Sequence, residues 1–498
     1  MEHLLHEYTD ILRLRGLLIS QSDVPCDKPV AGLTFDSREA GKDTLFICKG
    51  KNFDCRYLSD AARQGAVAYV SERKYDAVDI PFMLVSNIRK AMPVLASLYF
   101  DDAPSRLIKI GITGTKGKTT TAYFIRSVLD SYLKNGTAVI SSVQTFDGVV
   151  SEESHITTPE AVEFYRHCSN AVSSGITHLV TEVSSQALKY DRVDGIIFDV
   201  GVFHNFGKDH ISPGEHDSEE DYFRSKLRLF SQCKTALINT GSDRYDEIMR
   251  CAGESGCRVV RYGTDKDADY RMSDFRSDDD RLGGSFTVSD PDGNSERVRF
   301  SIPGTFNAEN ALCAYSVCRE LGIPRDDIVK GIASARVPGR MEVFDSRDGK
   351  VRAIVDYAHN EMSFRSLYES IESDFPGSPI ITVFGCPGGK AYQRREDLGK
   401  CSGAHSALTV LTEEDPAFES VCGICGEIAA HVEREGGKYL ILPDRDEAIK
   451  RAFCEAGKLP GKVVVAITGK GDEEFMKRGG GVEHVKSDVS IVRDLLGV

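Results

Sequence analysis

The sequence lacks the features that mark membrane, secreted and nucleic-acid-binding proteins. No apolar run approaches the roughly 20 residues of a membrane-spanning helix. The N-terminus, MEHLLHEYTDILRLRGLL, has no basic segment, apolar core or small-residue cleavage site of a secretory signal. A formal net charge of -14 argues against nucleic-acid binding, which needs cations to displace counterions from phosphates. We therefore expect a cytoplasmic protein that contacts neither membrane nor nucleic acid and binds small molecules.

Length and composition are those of a multidomain globular protein. The 498 residues are 41% hydrophobic and 28% charged, which is enough for two to four domains. The 14 cysteines are scattered along the chain, and we interpret them as reduced, small apolar residues. Cys422 and Cys425 have redox or zinc spacing, but no second pair lies near them, so helix packing is the favoured interpretation.

The chain divides by pattern into three α/β segments, residues 1–105, 106–337 and 338–498. Strands alternate with amphipathic helices in the second and third, which is typical of parallel sheets. The apolar stretches 177–183 and 196–203 predict central strands that are buried on both faces. The polar stretch 265–297 predicts solvated loops and hairpins.

A phosphate-binding loop is predicted at GITGTKGKTT, which follows an apolar strand and opens a helix. Backbone N–H groups at a helix N-terminus bind phosphate oxygens, glycines allow close approach, and a lysine adds charge. The strict P-loop spacing requires glycine five residues before Gly117, where this chain has Ile112. The strand and helix still support a phosphate loop, with Lys118 and Thr119 placed for phosphate and Mg²⁺.

The motif GITGTKGKTTTA resembles the ATP-binding loop of the Mur ligases, the family that builds peptidoglycan precursors. Further motifs follow in the order of its MurE branch: TFDSREAGKDTLF, TTPE, TEVSSQAL, NFGKDHISPGEH, GTFNAENA, VPGRME, VDYAHN and GKGDEE. The resemblance implies a small N-terminal α/β domain for the UDP-sugar (1–105), a central P-loop domain with a parallel sheet for ATP (106–337) and a C-terminal Rossmann-like domain for the amino acid (338–498). It also leads us to expect a monomer.

The resemblance implies an ATP-dependent ligation. The γ-phosphoryl group of ATP would move to a carboxylate of UDP-N-acetylmuramoyl-L-alanyl-D-glutamate, and an incoming amine would attack the acyl phosphate. ATP and Mg²⁺ are the implied cofactors. The implied catalytic residues are Lys118, Glu182, His210 and Lys226.

The resemblance also assigns ligand contacts, residue by residue. The implied ATP contacts are Gly114, Thr115, Lys116, Gly117, Lys118, Thr119, Thr120, Asn307, Arg340, Asp356 and His359. The implied UDP-sugar contacts are Asp36, Ser37, Arg38, Thr157, Thr158, Ser184 and Arg192. The implied Mg²⁺ ligands are Thr119, Glu182, His210 and Lys226, the last as a lysine carbamylated by CO₂.

Several of these residues also have a purely structural interpretation. Asp36 and Arg38 would pair within a turn, and Glu182 would cap a helix. His210 would be a packed loop histidine, and Lys226 would be a solvated charge on a helix. His216 is a further, weaker candidate, because the loop DHISPGEH differs from the family pattern.

The segment EEDPAFE, residues 413–419, departs from the DNPR motif of enzymes that add meso-diaminopimelate. Ala417 replaces the arginine that would fork onto the distal carboxylate. Glu413, Glu414 and Asp415 instead suit a side-chain ammonium, so the resemblance is to lysine-adding members. Ornithine ranks second and diaminopimelate last, and a one-methylene difference of ~1–3 kcal/mol does not separate lysine from ornithine.

The α-carboxylate and α-amine of the amino acid have their own implied partners. Arg395 and Glu473 match the family positions, with Arg394 as an adjacent candidate. Two alternatives to this enzyme stay open: a folylpolyglutamate synthetase, which lacks a domain like residues 1–105, and a non-catalytic nucleotide switch, which needs no amino-acid-binding groups.

Overall fold

The computed structural model describes residues 3–23, 27–50, 53–154, 156–207, 216–277, 283–302, 304 and 306–497. His210 lies outside these ranges. The chain forms two compact units, Met1–Lys118 with Leu133–Val260, and Thr119–Tyr132 with Arg261–Val498. The three-domain division stays a prediction.

The first unit begins with a small α/β layer. Its elements are α1 (Leu5–Leu14), β1 (Leu18–Gln21), β2 (Gly32–Thr34), β3 (Thr44–Ile47), α2 (Cys55–Gln64), β4 (Ala66–Ser71), β5 (Phe82–Val85) and α3 (Ile88–Tyr99). The strand order is β1-β5-β4-β3-β2, with β1 antiparallel to β5 and the other neighbours parallel. Leu45, Ile47 and Val70 are fully buried in its core.

A second α/β layer follows, which belongs to the same unit except for Thr119–Tyr132 of α4 and residues 261–263 of β13. Its elements are β6 (Ile108–Thr113), α4 (Lys118–Tyr132), β7 (Ala138–Ile140), β8 (Gln144–Phe146), β9 (Ser151–Glu153), α5 (Ala161–Ser173), β10 (His178–Glu182), α6 (Ser185–Lys189), β11 (Phe198–Phe203), α7 (Glu219–Leu227), β12 (Cys233–Asn239), α8 (Tyr245–Glu254) and β13 (Arg258–Gly263). Strands β12-β11-β6-β10-β7 are parallel, and β8 and β9 continue the sheet antiparallel. All of α4 after Lys118 belongs to the second unit.

The central strands of this sheet confirm the sequence prediction. All five residues of β10 are buried, and so are five of the six residues of β11, the exception being Asp199. Packing is tight enough to require glycine in β6, because a Cβ at Gly111 would lie 2.8 Å from the Phe198 ring. In a parallel sheet the carboxyl ends of β6 and β10 meet at one edge, which is where an α/β sheet binds ligands.

The second unit contains an antiparallel layer where the sequence predicted solvated loops and hairpins. Its elements are β14 (Tyr270–Ser277), β15 (Gly284–Ser289), β16 (Ser295–Phe300), α9 (Phe306–Glu320) and α10 (Arg325–Ser334). The prediction of solvated loops for 265–297 is wrong, and that of hairpins is correct. Phe286, Val288 and Val298 alternate with polar residues and are buried, so one face of this polar segment joins a core.

The remainder of the second unit is a doubly wound sheet. Its elements are β17 (Glu342–Asp345), β18 (Val351–Asp356), α11 (Glu361–Asp374), β19 (Ile380–Phe384), α12 (Gln393–His405), β20 (Leu408–Leu411), α13 (Val421–Arg434), β21 (Tyr439–Ile441), α14 (Arg445–Lys458), β22 (Val463–Thr468), β23 (Phe475–Arg478), β24 (Gly481–His484) and α15 (Asp488–Leu496). The order is β17-β18-β22-β19-β20-β21, parallel except for edge strand β17, and β23 and β24 form a separate hairpin.

Two predictions about single features have separate outcomes. Cys425 is buried on α13 but Cys422 is exposed, so the helix-packing interpretation holds for Cys425 alone. Within the described ranges, no helix combines the length and the apolar character needed to cross a bilayer.

Candidate functional site

The loop between β6 and α4 is braced from behind by Asn205. The Thr115 and Lys116 N–H groups each donate to Asn205 Oδ1 at 2.9 Å. A Cβ at Gly114 would lie 3.0 Å from His204 Cβ, and Gly117 has a positive φ of 78°. Both glycines are therefore needed for the path of the loop, which is preorganised at the start of a helix.

Two lysines converge on one carbonyl of this loop. Lys118 Nζ donates to Gly114 O at 2.7 Å, and Lys226 Nζ donates to the same oxygen at 2.8 Å. Lys226 is 1% exposed and its Nζ lies 4.5 Å from the Tyr222 ring centroid, which contradicts a solvated lysine. Two ammonium groups this close repel each other, so conversion of one to an anion would turn repulsion into attraction.

Glu182 lies at the sheet edge beside this loop. It is the last residue of β10, is 1% exposed, and pairs in register with Ile112 of β6. Its Oε1 accepts a hydrogen bond of 2.8 Å from the Ser142 N–H group. The N-cap of α6 is Ser184, so the interpretation of Glu182 as a helix cap is wrong.

Of the predicted Mg²⁺ ligands, Thr119, Glu182 and Lys226 lie among the described residues. Among the described residues, no three His, Cys, Asp or Glu side chains are grouped to hold a metal ion. His210 lies outside those residues, and Lys226 as an ammonium cannot ligate. A carbamate on Lys226 together with Glu182 would supply the oxygen donors that Mg²⁺ prefers, so the residues fit the metal only in the carbamylated form.

Three of the predicted UDP-sugar residues form a hydrogen-bonded cluster beside Glu182. Thr158 Oγ1 donates to Glu182 O at 2.8 Å and accepts from Ser184 N–H at 3.0 Å. Arg192 Nη1 donates to Thr158 O at 3.0 Å. Thr157 is half-buried next to them.

Sequence reasoning missed Glu160 and did not place Lys49 at this cluster. Glu160 Oε1 lies 3.1 Å from Arg192 Nε and 3.0 Å from Lys49 Nζ. The Arg192 N–H is not aimed at the carboxylate, so the contact is an ion pair without a directed hydrogen bond. The arginine predicted to bind a substrate carboxylate is therefore already paired with a carboxylate of the protein. In the sequence, Glu160 could have been found as the last residue of the motif TTPE.

Asp36 and Arg38 adopt the turn-internal arrangement. Arg38 Nε donates to Asp36 Oδ1 at 2.9 Å, and Asp36 caps the short turn Ser37–Glu39. These hydrogen bonds from Arg38 hold the pKa of Asp36 below its usual range, against a small effect of burial. The Arg38 side chain is 88% exposed, and a role with UDP stays a prediction.

In the second unit, three predicted ATP residues lie together around Tyr357. Asp356 Oδ2 accepts from the Met341 N–H group at 2.9 Å, beside Arg340, whose guanidinium carbon lies 4.3 Å from the Tyr357 ring centroid. His359 Nδ1 donates to Tyr357 O at 2.8 Å. Asn307 is buried on α9. Thr119 and Thr120 are buried in α4.

A chain of hydrogen bonds and ion pairs links this group to the predicted amino-acid residues. The Tyr357 hydroxyl donates to Glu473 Oε1 at 2.6 Å, and Glu473 Oε2 lies 2.5 Å from Lys470 Nζ. Lys470, 2% exposed, also reaches Asp415 Oδ1 at 3.2 Å. Sequence reasoning missed Tyr357 and Lys470, although both lie inside the motifs VDYAHN and GKGDEE.

The three acids of EEDPAFE differ in their partners. Glu413 is paired with Arg478 and Asp415 with Lys470. Glu414 forms no ion pair or hydrogen bond with the described residues and is 7% exposed. Burial raises the pKa of Glu414 to about 7, against the attraction of Arg445, Arg394 and Lys470.

Ala417 is held against the β23 edge. Its N–H donates to Lys477 O at 3.0 Å, and its carbonyl accepts from Gly479 N–H at 2.7 Å. Its φ is +53°, in the left-handed region. The loop also packs directly on Gly388, where a Cβ would lie 1.9 Å from Pro416 O. At position 417, where the diaminopimelate-adding enzymes have an arginine, the backbone is therefore fixed and the side chain is a methyl group.

Arg395 is already engaged by the protein. It is 3% exposed, with ion pairs to Glu419 at 2.9 Å and Glu427 at 2.8 Å. Arg394 is half-buried, makes no ion pair with the described residues, and lowers the pKa of Glu414 by its charge. The geometry thus favours Arg394 as the cation available to an incoming carboxylate.

Comparison with known proteins identifies the family. The Mur ligase middle domain model matches residues 112–318, and the Mur ligase, glutamate ligase domain model matches residues 339–471. The UDP-N-acetylmuramoyl-L-alanyl-D-glutamate--L-lysine ligase of Enterococcus faecalis is 36% identical over 494 residues, covering 98% of this chain and 96% of that protein. The ligase of the same name from Streptococcus thermophilus is 35% identical, covering 99% and 97%.

Solved structures share the fold at lower identity. A UDP-N-acetylmuramoyl-L-alanyl-D-glutamate--2,6-diaminopimelate ligase has a TM-score of 0.66 at 23% identity, covering 100% of this chain and 99% of that one. A folylpolyglutamate synthase of Mycobacterium tuberculosis has a TM-score of 0.63 at 16% identity, covering 82% and 95%. The two domain models and the full-length identity agree with the site geometry: this chain belongs to the Mur ligase family.

Proposed function

We propose that this chain ligates L-lysine to UDP-N-acetylmuramoyl-L-alanyl-D-glutamate with consumption of ATP, a step of peptidoglycan precursor synthesis. The lysine-adding names of its full-length relatives support the reaction. The observation that carries the choice of lysine is the loop 413–419. Within the described part of the chain, it presents a buried carboxyl without an ion-pair partner, Glu414, and it has a methyl group at Ala417 where a diacid would need an arginine.

In the first step, a carboxylate oxygen of the UDP-sugar dipeptide attacks the γ-phosphorus of ATP, and ADP leaves. The loop amides and Lys118 hold the phosphates, because they form a preorganised set of donors. Thr158, Ser184 and Arg192 orient the dipeptide. Arg192 releases Glu160 when it binds a carboxylate of the substrate.

Lys226 acts as a carbamate in this proposal. Bound Mg²⁺ would neutralise phosphate charge. Its ligands would be Glu182, His210, Thr119 and the carbamate of Lys226. The convergence of Lys226 and Lys118 on Gly114 O supports this, since an uncharged or anionic Lys226 removes a repulsion between two neighbouring cations.

In the second step, the lysine α-amine attacks the acyl carbon, the bond from that carbon to the phosphate oxygen breaks, and the leaving phosphate takes up the proton that the amine loses. Glu414 attracts the side-chain ammonium, and Arg394 binds the α-carboxylate. Glu473 accepts a hydrogen bond from the α-amine while its other oxygen stays with Tyr357. Asp415 and Glu473 are paired with Lys470, and Asp415 also lies 4.0 Å from Lys477, so Glu414 is the acid of the segment 413–415 that has no ion-pair partner among the described residues, which suits one ammonium.

The test is phosphate release from ATP by the purified chain, with each substrate omitted in turn. A ligase releases phosphate only when the UDP-sugar dipeptide and lysine are both present, and the nucleotide product then contains lysine. A non-catalytic nucleotide switch would bind ATP and release none. Release with a folate substrate instead would indicate the folylpolyglutamate synthetase alternative.

We further propose that the active species is a cytoplasmic monomer. The family resemblance is the basis of this proposal. Sedimentation velocity at the concentration of the assay would test it, with a dimer as the contradicting result. Ornithine stays the second candidate substrate, because a shorter ammonium side chain suits the same carboxyl.

A further inference from the structure

His216 connects two helices of the first unit by hydrogen bonds on both ring nitrogens. Its side chain is fully buried, with Nδ1 3.0 Å from Asp221 Oδ2 and Nε2 2.9 Å from Ser185 Oγ. A carboxylate only accepts, so Nδ1 carries a proton and donates to Asp221. In the neutral imidazole, Nε2 then accepts from the Ser185 hydroxyl.

One end of this connection is the helix that follows Glu182. Ser185 is the first residue of α6, and Ser184 is its N-cap, accepting from the Ala187 N–H group at 3.1 Å. Lys189, the last residue of α6, donates to Asp221 at 2.6 Å. Both ends of α6, and with them Ser184, are therefore anchored to Asp221.

The other end is the helix that carries Lys226. Asp221 lies in the first turn of α7, whose next residue, Tyr222, donates its hydroxyl hydrogen to Thr115 Oγ1 at 3.2 Å. Lys226, four residues further along the same face, donates to Gly114 O. Helix α7 is thus anchored to the phosphate loop, and His216 and Lys189 tie α6 to it.

We propose that His216 is a positioning residue for the ligation, which holds Ser184 and the dipeptide in register with Lys226 and the phosphate loop through the Ser185–His216–Asp221 chain. The inference rests on the proposed function. The order Ser185, His216, Asp221 is also that of a catalytic triad, but Ser185 is only 5% exposed, so we assign the hydroxyl a positioning role and not that of a nucleophile.

The charge on Asp221 fits this role. Burial opposes ionisation, but hydrogen bonds from Lys189, the Asp217 N–H group and His216 outweigh it and keep the pKa of Asp221 below its usual range. The chain therefore ends on a carboxylate that is ionised at neutral pH, which fixes the proton of the imidazole on Nδ1.

The test compares substitutions of His216 with a matched control in the same unit. His216→Asn retains a donor for Asp221, His216→Gln retains an acceptor for Ser185, and His216→Ala retains neither. His167 is the control, because it is also buried and donates from Nδ1 to a buried carboxylate, Asp147, at 2.7 Å. His167→Asn removes comparable packing away from the phosphate loop.

We expect His216→Ala to raise KM for the UDP-sugar dipeptide about tenfold or more and to lower kcat, with KM for ATP within about twofold of wild type, because Asn205 and Tyr222 still hold the loop. The Asn and Gln variants recover part of the loss. His167→Asn keeps both KM values. Ser185→Ala added to His216→Ala costs little more, since both act through one chain.

Two results would overturn the inference. One is a His216→Ala enzyme that loses only kcat in proportion to its loss of thermal stability, as His167→Asn would, with both KM values unchanged. The other is additive effects of Ser185→Ala and His216→Ala. A wild-type enzyme that ligates nothing would instead contradict the proposed function.

Discussion

At the scale of single residues, the structure supplies what residue types could not. Lys118, Glu182 and Lys226 were predicted from motifs, and the structure adds that both lysines meet at Gly114 O. The sequence could not reveal that Arg395 is consumed by Glu419 and Glu427, since these partners are 24 and 32 residues away. Lys470 lies inside the motif GKGDEE, but its burial and its pairing with Asp415, 55 residues away, are not visible in that motif.

Substitution of Lys226 tests the carbamate. We expect Lys226→Ala to lower kcat about 100-fold or more, because the site loses an oxygen donor, and a small carboxylic acid at high concentration to restore part of the activity. Lys226→Arg should not be restored, since its side chain fills the space. Lys234→Ala, at an exposed lysine of the same unit, is the control. Full activity of Lys226→Ala would contradict the assignment.

The carboxyl of Glu414 predicts a pH dependence. Its pKa is about 7, so the group is largely neutral at pH 6 and largely ionised at pH 8. Because the ionised form attracts the lysine ammonium, we expect KM of the wild-type enzyme for lysine to fall about tenfold from pH 6 to pH 8, relative to KM of Glu414→Gln. This variant is the reference because the substrate amine titrates equally in both assays. Parallel pH profiles of the two enzymes would contradict this prediction.

At the scale of elements, local patterns predicted the βα unit of β6 and α4 and the buried strands β10 and β11, because long apolar runs between turn signals are strong local signals. They failed for 265–297, where alternation within a polar composition builds β14, β15 and β16. The loop 413–419 was read as an acidic pocket, but its strand-like contact with β23 depends on residues about 60 positions away.

This loop predicts how specificity changes. The left-handed backbone at position 417 is already adopted by a residue other than glycine, so Ala417→Arg retains it and adds a guanidinium that can bind a carboxylate at two points. We therefore expect the ratio of kcat/KM for meso-diaminopimelate to kcat/KM for lysine to rise about 100-fold. Ala417→Gln, which adds length without charge, is the matched control and should raise it far less. An unchanged ratio in Ala417→Arg would show that this position does not contact the side chain of the amino acid.

At the scale of the whole molecule, family membership was predictable because many motifs occur in a fixed order along nearly the full chain. The two compact units could not be predicted, since α4 belongs to one unit by its sequence neighbours and to the other by its packing.

The proposed reaction requires a divalent cation. We expect EDTA to abolish turnover and added Mg²⁺ to restore it, measured as phosphate release, whereas activity that persists in EDTA would contradict a metal requirement.

The central claim is that this Mur ligase adds lysine. The most direct measurement is a competition in which the enzyme, ATP, Mg²⁺ and UDP-N-acetylmuramoyl-L-alanyl-D-glutamate are incubated with equal concentrations of L-lysine, L-ornithine and meso-diaminopimelate. Mass spectrometry of the nucleotide products then gives the three rates in one mixture. We predict that the lysine product predominates and that the diaminopimelate product is scarce. A predominant diaminopimelate product would contradict the account of Glu414 and Ala417.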